Sequence, residues 1–458
     1  MINQRKGIMT SHETEFDAIV CGSGPGGATV ARELSRKGKK VLILEWGDND
    51  PVKGTFTQTI PRAFIPGKSL LITPELLLMV RAITTGGSSL LYCATAFDPP
   101  VDMLKSCGVD ISQEVDEVKH DVPIAPLSDE LMGEGPRLFL KSAVELGYDC
   151  NKLNKFIYQD KCKPKCQLSS YGCPHGAKWT ARNFVDEALE HGAKMINFAK
   201  VEKVIIDNRA AVGVEYRHNR KKNKVYAPQI VVAAGGIGSP IILRQSGMPD
   251  TGHDFFFDPL IFVYGKIKGL GSGKSIPMSS GVHFDDDGIV MTDINMAHLL
   301  KIVFDLEVLK IRQSFSYNNV LPVMIKIRDG LGGEITKRGG VNKPLSREDK
   351  MKLGKGAEHA ERILKNAGAT ETYKSSTIAA HPGGTVKIGE HVDTNLKTKF
   401  DNLYVCDCSV IPGEWGLPPT WSILALGKRL AKHLLQETRI SGPIKDRIKP
   451  AGENTVEA

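Results

Sequence analysis

Near the start of the chain the apolar positions fall into two short solid blocks, Phe16 to Cys21 and Lys40 to Leu44. Between them lie a knot of glycines and a stretch, Ala28 to Arg36, whose apolar residues recur with helical period. The pattern predicts a buried strand, a tight turn, a helix and a second buried strand. Further on, FFFDPLIFVYGKIK at 255–268 and VMIKIRD at 323–329 are separated by polar turns and suit an antiparallel sheet. GVEY and VYAPQIVVAA flank the basic run RHNRKKNK at 217–224, which reads as a hairpin tip. SLLITPELLLMVRAI at 69–83 and the 295–315 run have helix-like spacing. For these two, core packing and a lid or membrane-dipping helix both stay open. The last patterned stretch, 402–434, reads as a strand ending in Asp407, a loop, and a helix from Pro419 to Leu434.

Size and composition narrow the class. A chain of 458 residues exceeds one compact core and is expected to form two domains. Hydrophobic residues are 41% and charged residues 24%, ordinary for a globular protein, and no run approaches ~18 apolar residues. The opening MINQRKGIMTSHET lacks the apolar middle of a secretory signal and reads as a loose leader. The net charge of +8 is dispersed, and no aromatic-basic pattern points to nucleic acid. Residues 217–224 therefore read as a solvated turn, with anionic lipid or an acidic partner as the alternative. Nine cysteines in a chain expected to be cytoplasmic point to thiols or metal ligands before disulfides.

Chemistry begins at the glycines. Gly22, Gly24 and Gly27 stand on the G-x-G-x-x-G spacing between strand and helix, and Glu45 closes the second strand. The first glycine permits the turn, the second admits a pyrophosphate close to the backbone, and the third lets helix pack on strand. The helix amino end offers free N–H groups to the anion, and the acid suits a ribose with a free 2′-hydroxyl. At this point FAD and NAD are both open.

Four further stretches resemble the glucose-methanol-choline (GMC) family of FAD-dependent oxidoreductases. ITTGGSSLLYCATAF at 83–97 resembles its glycine-serine loop along the flavin, VVAAGGIGSPIILRQSG at 231–247 its Ala-Gly-Gly segment, and HPGGTVKIG at 381–389 its His-x-x-Gly-Thr element. The 402–434 stretch resembles its final strand, acid, loop and helix, and all four occur in the family order. The resemblance implies an α/β fold with a Rossmann-type FAD domain and an α+β substrate domain on an antiparallel sheet. It divides the chain into 14–105, 155–250 and 376–436 for FAD and 251–375, with part of 106–154, for substrate, leaving 1–13 and 437–458 as flexible ends. It implies cofactor contacts at Gly86, Gly87, Ser88, Val201, Ala234, Asp407, Cys408, Pro419 and Thr420, besides the glycines and Glu45 above. It also implies that His381 is the catalytic base, a role an imidazole suits near neutral pH. His391, in a turn that reads as exposed, is set aside.

Two features depart from the family pattern. Where the family places an asparagine or second histidine before the last helix, this chain has Pro418, which can neither donate a hydrogen bond nor take a proton. The 83–97 loop has no histidine, so FAD is expected without a covalent link. In addition, KCKPKCQLSSYGCPHGAK at 161–178 gathers Cys162, Cys166 and Cys173, and related long-chain alcohol oxidases and membrane-linked dehydrogenase subunits resemble it there. An iron–sulfur cluster, with Cys150 as a fourth ligand, stays open beside zinc and plain thiols. The expectation is an alcohol-oxidising flavoenzyme whose electrons pass to a quinone or carrier protein, at rest in the cytoplasm or peripherally at the inner face of a membrane. An oxygen-reducing oxidase, and an electron-transfer subunit with a decayed alcohol site, are the alternatives.

Overall fold

The computed structural model describes residues 15–307, 309 and 317–441. The expected leader 1–13, residues 442–458, and most of the end of the 295–315 run lie outside the described residues. Two large sheets organise the fold. The first is parallel and five-stranded, ordered Leu403–Val405, Gln229–Val232, Ala18–Cys21, Val41–Leu44 and Lys194–Ile196. Its central strand is wholly buried, as a parallel strand covered on both faces must be. Helix Pro25–Ser35 packs against both Ala181–Glu190 and Thr420–Ser441 beside it.

The second sheet is nine-stranded and mostly antiparallel, and its long strands are Pro259–Lys266 and Val320–Ile327. Alternation divides its two faces. Ile261, Val263, Val323 and Ile325 point to the helix Arg347–Asn366, through a core that includes Leu353, Ala357, Ala360 and Ile363. That helix starts on a capping box, in which Ser346 Oγ accepts from the Asp349 amide at 3.0 Å and the Asp349 carboxylate accepts from the Ser346 amide at 2.9 Å. Leu260, Phe262, Tyr264 and Met324 form the opposite face with Met278, Ile294, Met296 and Tyr373.

Several sequence expectations change. Residues 69–83 are not helical: Leu70–Ile72 and Leu78–Val80 form a hairpin whose second strand pairs in parallel with Ile378–Ala379. Pairing in the sheet outweighs the apolar spacing, and Leu76 takes a left-handed φ of 62° at the turn. The 295–315 run does contain a helix, His298–Glu307. The basic run 217–224 is only partly a tip, since Ala210–His218 and Lys221–Tyr226 pair through it and the turn itself is Asn219 and Arg220, both at positive φ. The carboxy-terminal tail is helical to Ser441. No helix among the described residues is long and apolar enough to cross a membrane.

Candidate active site

The glycine turn has the geometry its spacing predicts. Gly22 sits at φ +113° with no room for a side chain, since an added Cβ would lie 2.3 Å from the Ala233 carbonyl oxygen. Gly27 is equally tight, 2.1 Å from the Gly22 carbonyl oxygen, and brings helix onto strand. Gly24 differs: nothing lies within 4 Å of its missing Cβ, so the turn opens there onto free space at the helix amino end. Gly86 and Gly87, at φ +87° and +56°, bring the second glycine loop against it, with a Gly87 Cβ falling 3.0 Å from the Gly24 Cα.

Glu45 is buried beside this space. Its Oε2 accepts from the Ser23 amide at 3.1 Å and the Ser23 hydroxyl at 2.6 Å, and its Oε1 accepts from the Gly47 amide at 2.7 Å. The Gly86 amide in turn donates to Ser23 Oγ at 3.1 Å, so one serine joins the acid to both glycine loops. Burial raises the Glu45 carboxyl above its usual range, against these hydrogen bonds. Three donors leave a carboxylate acceptor capacity for a ribose hydroxyl. The open turn and the unsaturated acid fit a dinucleotide.

The other expected cofactor residues lie around the same end of the parallel sheet. Ser88 Oγ accepts from the Ala82 amide at 3.1 Å, and Val201 is buried at the start of the strand Lys200–Asp207. Ala234 precedes the helix Gly235–Arg244, its amide donating to Ser239 Oγ at 3.0 Å. Asp407 is turned inward. Its Oδ2 accepts from the Gly235 amide at 2.8 Å and the Ser239 hydroxyl at 2.5 Å, and its Oδ1 accepts from the Ser409 amide at 2.8 Å. Asp407 thus shapes the loop before the final helix and, like Glu45 with three donors, keeps acceptor capacity for a hydroxyl. Cys408 donates its thiol to the Pro382 carbonyl at 3.0 Å, and Pro419 and Thr420 are buried at the start of the last helix.

His381 stands where the two sheets meet. Pro259 pairs with Ala379, and Phe256 bridges Gly383, so Asp258 is set opposite His381. The His381 Nδ1 lies 3.0 Å from Asp258 Oδ2. A carboxylate only accepts, so Nδ1 carries the hydrogen and Nε2 keeps its lone pair. The imidazole is 28% exposed and the Asp258 side chain 0%. Burial lowers the His381 pKa from its usual 6.5, nearby Lys326 lowers it further, and Asp258 opposes both. Ile378 and Ala380 flank the histidine and, with Phe97 and Cys93, pack against the apolar face formed by Leu260, Phe262 and Met324.

Sequence reasoning missed Asp258, Lys326 and Ser23. A signal was present for two of them: each is a single charge inside a strongly apolar run, FFFDPLIFV and VMIKI, and a charge in such a place needs a partner. His391 is buried, not exposed, and its Nε2 lies 3.1 Å from the Asp250 carbonyl oxygen. The cluster and zinc readings of the cysteines gain no support. Cys162, Cys166 and Cys173 are half-buried in one loop, but among the described residues no group of three or more His, Cys, Asp or Glu side chains is placed to hold a metal ion. Burial pushes the Cys162 thiol up to about 11, and the neighbouring Cys173 and Cys166 add to the effect. Cys150 is buried apart from them, in the core behind the antiparallel sheet.

A parallel sheet with a glycine turn and a buried acid beside it, joined to an antiparallel sheet that presents a histidine, is the arrangement expected of a flavin-dependent oxidoreductase. Comparison with known proteins assigns the family: residues 2–261 match the amino-terminal GMC oxidoreductase model and residues 340–427 the carboxy-terminal one. The chain belongs to the GMC oxidoreductases, and FAD is their cofactor. It is 26% identical over 427 residues to an uncharacterized protein of Methanocaldococcus jannaschii, covering 92% of this chain and 100% of that one. A long-chain-alcohol oxidase of Arabidopsis thaliana is 23% identical over 504 residues, covering 89% of this chain and 65% of that one. Among solved structures, pyridoxine 4-oxidase from Mesorbium loti superposes with a TM-score of 0.70 at 16% identity, covering 92% of this chain and 99% of that one. A formate oxidase variant from Aspergillus oryzae gives 0.71 at 14% identity, covering 94% and 100%.

Proposed function

We propose that this protein oxidises an apolar alcohol to the carbonyl compound, with His381 as the general base. The observation that carries the reading is the fixed imidazole, its Nδ1 committed to Asp258 and its Nε2 left free, beside an apolar wall containing Leu260, Phe262 and Met324. Bound FAD, held non-covalently by the glycine turns and Glu45, supplies the hydride acceptor. Nε2 takes the hydroxyl proton, and a pKa held below 6.5 keeps the imidazole neutral and ready to accept it at pH 7. The apolar wall excludes water and orients the hydrocarbon part of the substrate.

The electrons pass to a quinone or a carrier protein in this reading, in a protein that touches a membrane at most peripherally. A second reading, direct reduction of oxygen, is favoured by the names of the alcohol, pyridoxine and formate oxidases among the similar proteins. Anaerobic stopped-flow mixing of the FAD-loaded protein with short- and long-chain alcohols is the test. Bleaching of the flavin, slowed ~10²–10⁴-fold in His381→Ala, is expected. No bleaching by any alcohol, or an unslowed alanine variant, overturns the proposal. Admitting air to the reduced protein then separates oxidase from dehydrogenase.

A further inference from the structure

The loop that carries Pro418 lacks the second polar side chain, yet it is not unconnected to His381. The Gly416 amide, two residues before Pro418, donates to Asp258 Oδ1 at 3.0 Å, while Asp258 Oδ2 receives His381 Nδ1 and lies 3.2 Å from Lys326 Nζ. Both Asp258 and Lys326 are fully buried, at 0% and 1% side-chain exposure. A second ion pair stands behind the first. The Asp329 carboxylate accepts from the Asp258 amide at 3.0 Å and the Phe257 amide at 3.2 Å, and it meets Lys343 Nζ at 3.1 Å. Lys343 also donates to the Gly330 carbonyl at 2.6 Å. This bracing holds Asp258 at φ +48°, a left-handed conformation that costs a non-glycine residue energy.

We propose that Asp258 and Lys326 are a paired positioning device for His381, supplying from behind the imidazole the control that a second side chain at position 418 would supply from the substrate side. The inference rests on the reading of His381 as the base. Two buried charges of opposite sign act on one ring with opposite effects. Asp258 fixes the tautomer and stabilises the imidazolium that forms when Nε2 takes the proton. Lys326 cancels part of that field and keeps the resting imidazole neutral.

The charged groups nearest the ring come from two paired strands. Asp258 precedes the strand Pro259–Lys266, and Lys326 lies on the strand Val320–Ile327. Asp329 and Lys343 pair behind them, although burial and Asp258 push the Asp329 carboxyl up to about 7, and the neighbouring Cys408 thiol is committed to the Pro382 carbonyl. A buried pair of this kind is weak evidence of a stabilising role, because hydrophobic residues of the same volume often do as well.

The test uses FAD-loaded wild type, Asp258→Asn, Lys326→Met and the double variant, with ¹⁵N-labelled histidine. Nitrogen shifts of His381 report its tautomer and its pKa directly, independently of turnover, and stopped-flow flavin reduction reports the acid limb of the rate. Wild type is expected to show the Nδ1–H tautomer. In Asp258→Asn the pKa and the acid limb move to lower pH, and the plateau rate falls ~10-fold or more, as when an orienting carboxylate is lost. In Lys326→Met they move to higher pH. The double variant, which removes both charges together, falls between and remains folded even where a single variant leaves an unpaired buried charge. Opposite shifts establish the device, since general damage would not move the limb both ways. If His381→Ala is slow but the pKa and tautomer are unchanged in the charge variants, the pairing has no such role while the base assignment survives. If His381→Ala is not slow, the base assignment itself fails.

Discussion

At the scale of single residues the glycines and the histidine differ in how their roles arise. Gly22 is needed for a local reason: φ +113° and a carbonyl oxygen 2.3 Å from where a Cβ would sit exclude any side chain. Gly22→Ala should therefore cost more than about 1 kcal/mol in stability and weaken FAD binding, measured by denaturant unfolding and by flavin titration. Unchanged affinity and stability would show that the turn relaxes freely. His381 is defined by what surrounds it. Because burial and Lys326 lower its pKa, the acid limb of flavin reduction in the wild type should lie below 6.5. A limb at or above 6.5 would contradict the surroundings described here.

Among the elements, the helix of the glycine turn is held by charges as well as by packing. Arg32 donates to Glu187 at 2.6 Å and Asp121 at 2.8 Å, and Lys428 of the last helix reaches Asp121 at 2.6 Å. Four helices are thereby tied together at one buried guanidinium, which also covers the Phe184 ring at 4.1 Å. Burial pushes the Asp121 carboxyl up, and the hydrogen bonds from Arg32 and Lys428 more than reverse this, holding it below its usual 3.8. A depressed folded-state pKa means that the contribution is complete above the unfolded value and is lost as pH falls through the folded one. Arg32→Met should cost about 1–3 kcal/mol at neutral pH, and the difference from wild type should shrink below about pH 4. A gap that persists undiminished in acid would assign the cost to packing on Phe184.

For the whole molecule, the arrangement predicts how FAD is held. The 83–97 loop presents no histidine for a covalent link. Acid precipitation should release all flavin from the purified protein, leaving a chain of 50.0 kDa by mass spectrometry. Flavin retained on the denatured chain would place an attachment elsewhere. The assembly of the two sheets also explains which motifs were legible. Gly22, Gly24, Gly27 and Glu45 lie within one strand-helix-strand unit, so their spacing reports their geometry. The hairpin of Leu70–Ile72 and Leu78–Val80 was misread because its partner, Ile378–Ala379, is some three hundred residues away in the sequence.

The sequence by itself determined the dinucleotide turn, the order of the GMC elements and the position of the histidine, because each depends on local backbone sterics or on a short motif. Only the tertiary structure decided what surrounds that histidine. Asp258 and His381 are 123 positions apart, and strand register, not composition, sets one carboxylate against one imidazole. The same long-range packing buried His391 and removed Cys150 from the other three cysteines. Side chains whose chemistry depends on a partner acquire it from the fold, since desolvation and ion pairing are properties of the assembled interior.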